Sequence, residues 1–435
     1  MKKMKRLMFL LTSVLTLSLV LSACGGGNKA ANGGNAGDEA SQGGNAPAEI
    51  KTVKILQLKT EIVEGLNELK VEFEKEHPNI KLEIQTVGGD YGTFLKTKFA
   101  SGEEPDIFTN GGFKDMETWL DRMEDLSDQP WVNDLLPLAK EPMTLDGKVY
   151  GMAMNLEGFG FIYNKDLFEQ AGITELPKTY SQLEEAAQKL EASGVTPFSN
   201  GYQEWWIIGN QGINPAFAQQ PDPDAFIKGL NEGTESFTDN AKFQEWVKLI
   251  DLTVKYGNKN SLTTDYNTQV AEFANGKAAM MQQGNWAQLQ IDQINPDLNL
   301  GVLPMPLGED AELNDKLNVG VPANLVVNKN SPVKEEAKIF LNWYVTSDIG
   351  KEYIVKKFKF IPAFSTMEAT VEDMGDIGAE VWNYAQAGKV NTLNAPKFPD
   401  GLAHEFASAT QAHIAGKYDM NQMLDEFKVG WDTLK

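Results

Sequence analysis

The 435-residue chain holds a single cysteine, Cys24, and three histidines. One cysteine cannot close an internal disulfide, so the folded body must be held by its core alone. His77, His404 and His413 show no zinc-ligand spacing, and neither a metal nor any other cofactor is expected. Basic residues are few: 39 Lys and Arg stand against 61 Asp and Glu, a formal charge of −22. Nucleic-acid phosphates need a basic face, so this balance excludes that partner. A Gly-rich phosphate cradle of the Walker type is also missing, which leaves ATP hydrolysis to another chain. Carboxylates are plentiful, but no pair stands out at the separation that a glycosidase needs. Asp222-Pro-Asp224 begins like a calcium loop yet lacks the loop's glycine and terminal glutamate; it reads as a turn in which Asp224 caps the next helix. Past Ala48 there is no internal repeat and no low-complexity segment.

What is present begins with a leader. Residues 1–23 combine a basic tip, MKKMKR, with an apolar core, LMFLLTSVLTLSLVLSA, too short to span a bilayer comfortably. The following Gly25–Ala48 is rich in Gly, Asn and Ala, and buries too little to offset its ordering entropy. It reads as a tether that would hold the body about 25–30 Å from an anchor. The body then opens β-α-β-α-β: TVKILQL, a helical repeat at Ile62, Leu66, Leu69 and Phe73, the alternating IKLEIQTV, a helix from Tyr91 to Ala100, and a strand at Asp106–Thr109. Such an order implies a parallel sheet with right-handed crossovers and a ligand site beyond the strands' carboxyl ends. Those ends are Lys59-Thr60, Gly88-Gly89-Asp90 and Asn110-Gly111-Gly112.

Asp146–Phe168, DGKVYGMAMNLEGFGFIYNKDLF, is one long extended run feeding a helix, broken at Gly158 and Gly160 with Glu157 its only central charge. Farther on, Thr179-Tyr-Ser-Gln182 opens a helix with a capping-box pattern. A second helix starts near Asn240 with Phe243, Trp246, Val247 and Ile250 on one face. Strands are expected over Leu298–Met305 and Asn318–Asn328, and Ser331-Pro332 should cap a helix carrying Ala337, Phe340, Leu341 and Tyr344.

Several stretches, in order and at comparable spacing, resemble one family: FEKEHPNIKLEI, SGEEPDIF, the extended run Asp146–Phe168, KTYSQLEEAAQKL, FANGKAAMMQQGNWA, GVLPMPLG and SPVKEEAKIFLNWY. The chain is similar to the extracellular solute-binding proteins, family 1 type, of carbohydrate ABC importers. The resemblance implies an α/β, two-lobed periplasmic-binding-protein-like fold. Each lobe would be a mainly parallel sheet flanked by helices, with a sugar-sized cleft between lobes and three crossings near Leu156–Phe159, Gly301–Pro304 and Asn328–Pro332. The lobes would comprise 49–157 with 304–331, and 158–303 with 332–435. Leu21-Ser22-Ala23-Cys24 looks like a bacterial lipobox, implying cleavage before Cys24, lipidation of its thiol and anchorage to the outer face of the cell membrane.

Function follows as an expectation: a non-enzymatic, monomeric protein that closes on a carbohydrate and docks on ABC permease subunits. Trp286, after Gly284 and Asn285, matches the family's sugar-stacking position, and aromatic faces suit the C–H faces of sugars. Gln203, Trp205 and Trp206, beside Glu204, match a ligand-contacting loop; in an extended segment only one of two adjacent tryptophans faces the cleft. Glu157, with Asn155 in the same run, falls where a carboxylate accepts from sugar hydroxyls. Lys59, Thr60, Asp90, Asn110 and Gly111 match the opposite wall, and Asn318 lies in a later strand near the crossings. Asn110-Gly111-Gly112 departs from maltose-binding members, which carry bulkier residues there, so a saccharide other than maltose is expected. The readings held open against this one are a surface glycosidase or lyase, and a binder of a non-sugar ligand such as a polyamine.

Overall fold

Alternation sets the first strands and 3.6-residue periodicity the helices between them. The computed structural model describes residues 49–435, so the leader, Cys24 and the tether lie outside the described residues. β1 (Lys51–Gln57), α1 (Val63–Glu76), β2 (Ile80–Thr86), α2 (Tyr91–Ser101) and β3 (Ile107–Asn110) follow in the expected order. α1 buries Leu66, Leu69 and Phe73, which lie on one face of the helix. After α3 (Lys114–Trp119) the chain reaches β4 (Met152–Ala153) and then the long β5 (Glu157–Asn164), every residue of which is buried. α4 (Tyr180–Ala192), β6 (Thr196–Ser199), α5 (Ala241–Lys255), α6 (Tyr266–Ala274), β7 (Ala278–Gly284) and β8 (Leu300–Leu303) come next. β9 (Leu317–Gly320), β10 (Asn324–Val327), α7 (Lys334–Thr346), α8 (Val371–Gln386), β11 (Val390–Asn391), α9 (Leu402–Ile414) and α10 (Met420–Leu434) complete the chain.

Among the described residues, two large sheets result, in the orders β2-β1-β3-β10-β4 and β11-β9-β5-β7-β6, with β8 also paired to β5, besides a small hairpin of Thr144–Leu145 with Lys148–Val149. Both are more mixed than the mainly parallel sheets expected. In the first, β1 runs parallel to β2 and β3, while β10 is antiparallel to β3 and β4. In the second, β5 is antiparallel to β7, β8 and β9. A strand that returns from the other lobe enters without a right-handed crossover, so nothing obliges it to run parallel.

Strand pairing also moves two of the three crossings. The first lies between Ala153, in the first sheet, and Glu157, in the second. The second is not at Gly301–Pro304, since Leu300–Leu303 and Leu317–Gly320 both pair with β5; it falls between Gly320 and Asn324, where Pro322 breaks the apolar run. The third is not at Asn328–Pro332. α7 packs on the first lobe, where Phe340 and Trp343 meet Phe73 with ring centroids 5.2 Å apart. Ser365 N–H still donates to Asp134 O there, whereas in α8 Val381 packs against Gly158 of β5. Residues 332–365 therefore belong with the first sheet, not with the second lobe as expected.

Helix starts differ in detail. Thr179 caps α4 by accepting from the Gln182 N–H, but the Gln182 side chain accepts from the Lys178 N–H, so the box is only half formed. Asp222, not Asp224, caps the helix Pro223–Glu232. Ser331 caps nothing directly: it donates to Asp106 and accepts from the Val333 N–H, organising the turn before α7.

Candidate functional site

The carboxyl ends of the first sheet's strands meet the start of β5 and the end of β7 between the lobes. At the end of β1, the buried Gln57 side chain donates to Lys59 O (2.9 Å) and accepts from Lys59 N–H (2.6 Å), which fixes the chain where it leaves the strand. Lys59 thereby reaches across to Glu157, with which it forms an ion pair, while Glu61 Oε1 lies 3.6 Å away on its own lobe. The ammonium also sits 5.1 Å from the centroid of the Phe360 ring. Lys59 is 4% exposed, so this is one buried cation between two largely buried carboxylates. Burial works against the Lys59 charge, but the Glu157 and Glu61 carboxylates outweigh it and hold the ammonium above its ordinary range. Burial likewise lifts the Glu61 carboxyl, against the pull of Lys59.

Aromatic rings flank this group. β7 ends on Gly284 because the Trp286 ring folds back over it: an added Cβ would enter that ring and lie 2.5 Å from Gly158 O. The Trp286 indole N–H donates to Gln283 Oε1 (2.9 Å), and its ring is 6.4 Å from both Phe159 and Trp206. Trp286 stays only partly buried, with its N–H already engaged, so what it can offer a ligand is ring surface. Trp205 and Trp206 are not extended; they open a helical turn that runs into a π-helix at Ile207–Gly212, where Gln282 Nε2 donates to Ile207 O (2.6 Å). Successive helical side chains diverge by about 100°, and the two indoles part accordingly. Trp206 meets Tyr266 edge-on at 5.5 Å and joins the Trp286 group. Trp205 stacks on His404 (3.9 Å, 25°), and its N–H crosses the cleft to Gly89 O (3.2 Å).

Beside Trp205 a cavity of about 340 Å³ separates the lobes, lined from one side by Asp90, Gly111 and Asp115 and from the other by Trp205, Asp400 and His404. Lys96 and Asp400 form an ion pair across it. Burial lifts the Asp115 carboxyl against the Gly111 N–H that donates to it, and lowers His404 against the pull of Asp90, Glu405 and Asp400. Asn110 lies behind the cavity wall, its Oδ1 accepting from the Gly112 N–H. The second glycine of the pair is required there: Gly112 has φ +81°, and an added Cβ would lie 2.6 Å from Pro142.

Lys59, Glu157, Asn155, Trp206, Gly284, Asn285 and Trp286 thus form the inner group, and Asp90, Gly111 and Trp205 line the cavity. Asn155 donates to Leu156 O and Glu157 Oε1, and Asn285 accepts from the Gly158 N–H. Thr60 is exposed, its methyl packed near Gly88. Two expected residues stand elsewhere. Gln203 is exposed, its backbone tied to Thr264 and Gln411. Asn318 is buried in the second lobe, accepting from Asn214 (2.8 Å), because its side chain serves a network that includes Asn394. Glu61, Tyr266 and Asp115 were absent from the sequence-based set. Glu61 had a usable signal, a second charge at the end of β1; Tyr266 had none beyond the Asp265 cap before it. Among the described residues, no group of three His, Cys, Asp or Glu side chains is placed to hold a metal ion.

Two lobes joined by three crossings, with a polar and aromatic cleft between them, define a ligand-binding protein of the two-lobed class. The chain matches the model for the bacterial extracellular solute-binding protein over residues 59–351, and it belongs to that family. It is 25% identical over 309 residues to the multiple sugar-binding protein of Streptococcus mutans, covering 69% of this chain and 73% of that one. It is 26% identical over 289 residues to the melibiose/raffinose/stachyose-binding protein MelE of Bacillus subtilis, covering 63% and 65%. Its fold is similar to that of a sugar transporter protein from Bacillus licheniformis solved with stachyose, with a TM-score of 0.76 at 22% identity over 88% of this chain and 100% of the other.

Proposed function

We propose that the protein binds an oligosaccharide between its lobes and delivers it to the permease subunits of an ABC importer, acting as a monomer and without covalent chemistry. The observation that carries this reading is the inner group: partly exposed indole surface at Trp206 and Trp286 beside a buried Lys59–Glu61–Glu157 cluster. Ring faces suit the flat C–H faces of sugars, and the charged groups suit their hydroxyls. Relatives named for binding multiple sugars and for melibiose, raffinose and stachyose support the same ligand class. A ligand touching both lobes stabilises the closed form by that differential contact, and the closed form docks on the permease.

A glycan array followed by calorimetry on residues 49–435 tests this. Micromolar or tighter binding of some oligosaccharide is expected, ranked above maltose because Gly111 leaves the cavity wall open, and with no product released. Binding of polyamines alone, or turnover of the bound glycan, would overturn it.

The anchor is a separate part of the proposal. Cys24 would carry lipid at the outer face of the cell membrane, and no helix among the described residues is long and apolar enough to cross one. Cys24→Ser should shift the protein from the detergent phase to the medium with its melting temperature unchanged. Continued membrane retention would refute the lipid anchor.

A further inference from the structure

Tyr266 opens α6 at the meeting point of the two lobes. Its hydroxyl is buried and has no hydrogen-bond partner among the described residues. Its backbone N–H donates to Glu204 Oε1 (3.4 Å), and its ring packs edge-on against Trp206, so backbone and ring are both held in place. The hydroxyl lies within electrostatic reach of Glu61 and Glu157, yet neither carboxylate is close enough to accept from it. Burial, reinforced by those two carboxylates, holds the phenol well above its ordinary pKa, so it remains a donor at any physiological pH. A buried hydroxyl without a partner destabilises the fold, and a phenylalanine would fill the same space without that loss. Two buried atoms of the inner group are also unpartnered, Asn155 Oδ1 and Asn285 Nδ2.

We propose that Tyr266 is a specificity-determining ligand contact, its phenol donating to a ligand hydroxyl that in turn donates to a carboxylate of the Lys59–Glu61–Glu157 cluster. The inference rests on the oligosaccharide reading and sharpens it. A hydroxyl both accepts and donates, so it can bridge phenol and carboxylate; an ammonium has no lone pair and leaves the phenol proton unsatisfied. The site therefore selects a polyol over a polyamine although the protein is acidic.

The test compares wild type and Tyr266→Phe by calorimetry with raffinose, stachyose, maltose, N,N′-diacetylchitobiose and spermidine, together with ligand-free melting temperatures. The expected result is a loss of about five- to twentyfold in affinity for the tightest-binding sugar, with a ligand-free melting temperature equal to or above that of wild type. Equal sugar affinity in both proteins would overturn this inference alone. A clear fall in ligand-free melting temperature would overturn it too, by making the phenol a structural group. If wild type bound spermidine or nothing, and none of these sugars or of the arrayed glycans, the oligosaccharide reading would fall and this inference with it.

Discussion

Trp286→Ala is expected to lower affinity for the proposed saccharide ligand by about ten- to a hundredfold, the loss of roughly 1–3 kcal/mol that follows removal of an aromatic anchor. The structure also bounds the stability cost. A fully buried tryptophan cut to alanine costs about 3–5 kcal/mol, but Trp286 is only partly buried, so the ligand-free protein should lose less than that. Its ring packs against Phe159 and Trp206 and covers Gly284, and these contacts set the part that is lost. Gly284→Ala provides a second measurement without removing the ring: the new Cβ would enter the space the indole occupies, displace it and weaken binding in the same direction. Affinity by calorimetry and ligand-free melting temperature should be read on both variants. A large melting loss with unchanged affinity per folded molecule would show that Trp286 is a core residue and not a ligand platform.

The elements were legible where burial is local. Ile80–Thr86 alternates, α5 shows its buried Phe243, Trp246, Val247 and Ile250 at helical spacing, and both read correctly from sequence alone. The crossings were not legible. Leu317–Val327 is almost continuously apolar, and nothing within it reveals that Asn318 pairs with Phe159 while Val327 pairs with Ile107 in the other sheet. That choice is made by partners some two hundred residues away, so only Pro322 hints at the break.

The site divides along the same line. Trp286 and Glu157 stand in recognisable stretches, and the Lys59 strand end follows from β-α-β order. Tyr266 and Glu61 come from α6 and from the segment after β1, far apart in the chain, and their electrostatic proximity has no periodicity to betray it. Adjacent tryptophans were assigned opposite faces on the premise of an extended chain; the helical turn and π-helix, held by Gln282, part the rings differently and give each a role in the space between the lobes. Asn318 misled because an asparagine on a strand looks the same whether it faces a ligand or, as here, another asparagine.

Lys59→Met should be the most destabilising single change in the cleft. Methionine keeps most of the aliphatic volume but removes the cation, leaving Glu61 and Glu157 as buried carboxylates without their ammonium. Breaking a buried ion pair by removing one partner costs about 3–5 kcal/mol, because the remaining charge is uncompensated. The cost has a predictable pH dependence. Glu61 already has a raised pKa in the folded protein through burial, and loss of Lys59, the chief opposing influence, raises it further. A carboxyl with a higher pKa folded than unfolded binds more protons in the folded state between those two values. Stability therefore falls as pH rises from the unfolded to the folded pKa, and above the folded pKa, where both states are ionised, it stays at its low level. The deficit of Lys59→Met relative to wild type, read from urea unfolding, should therefore shrink from pH 8 to pH 5. Adding Glu61→Gln should recover part of it at pH 8 by leaving one uncompensated carboxylate instead of two. A deficit of the same size at both pH values, unrelieved by Glu61→Gln, would mean that Lys59 contributes the contact of its ammonium with the Phe360 ring and not charge compensation in the cleft.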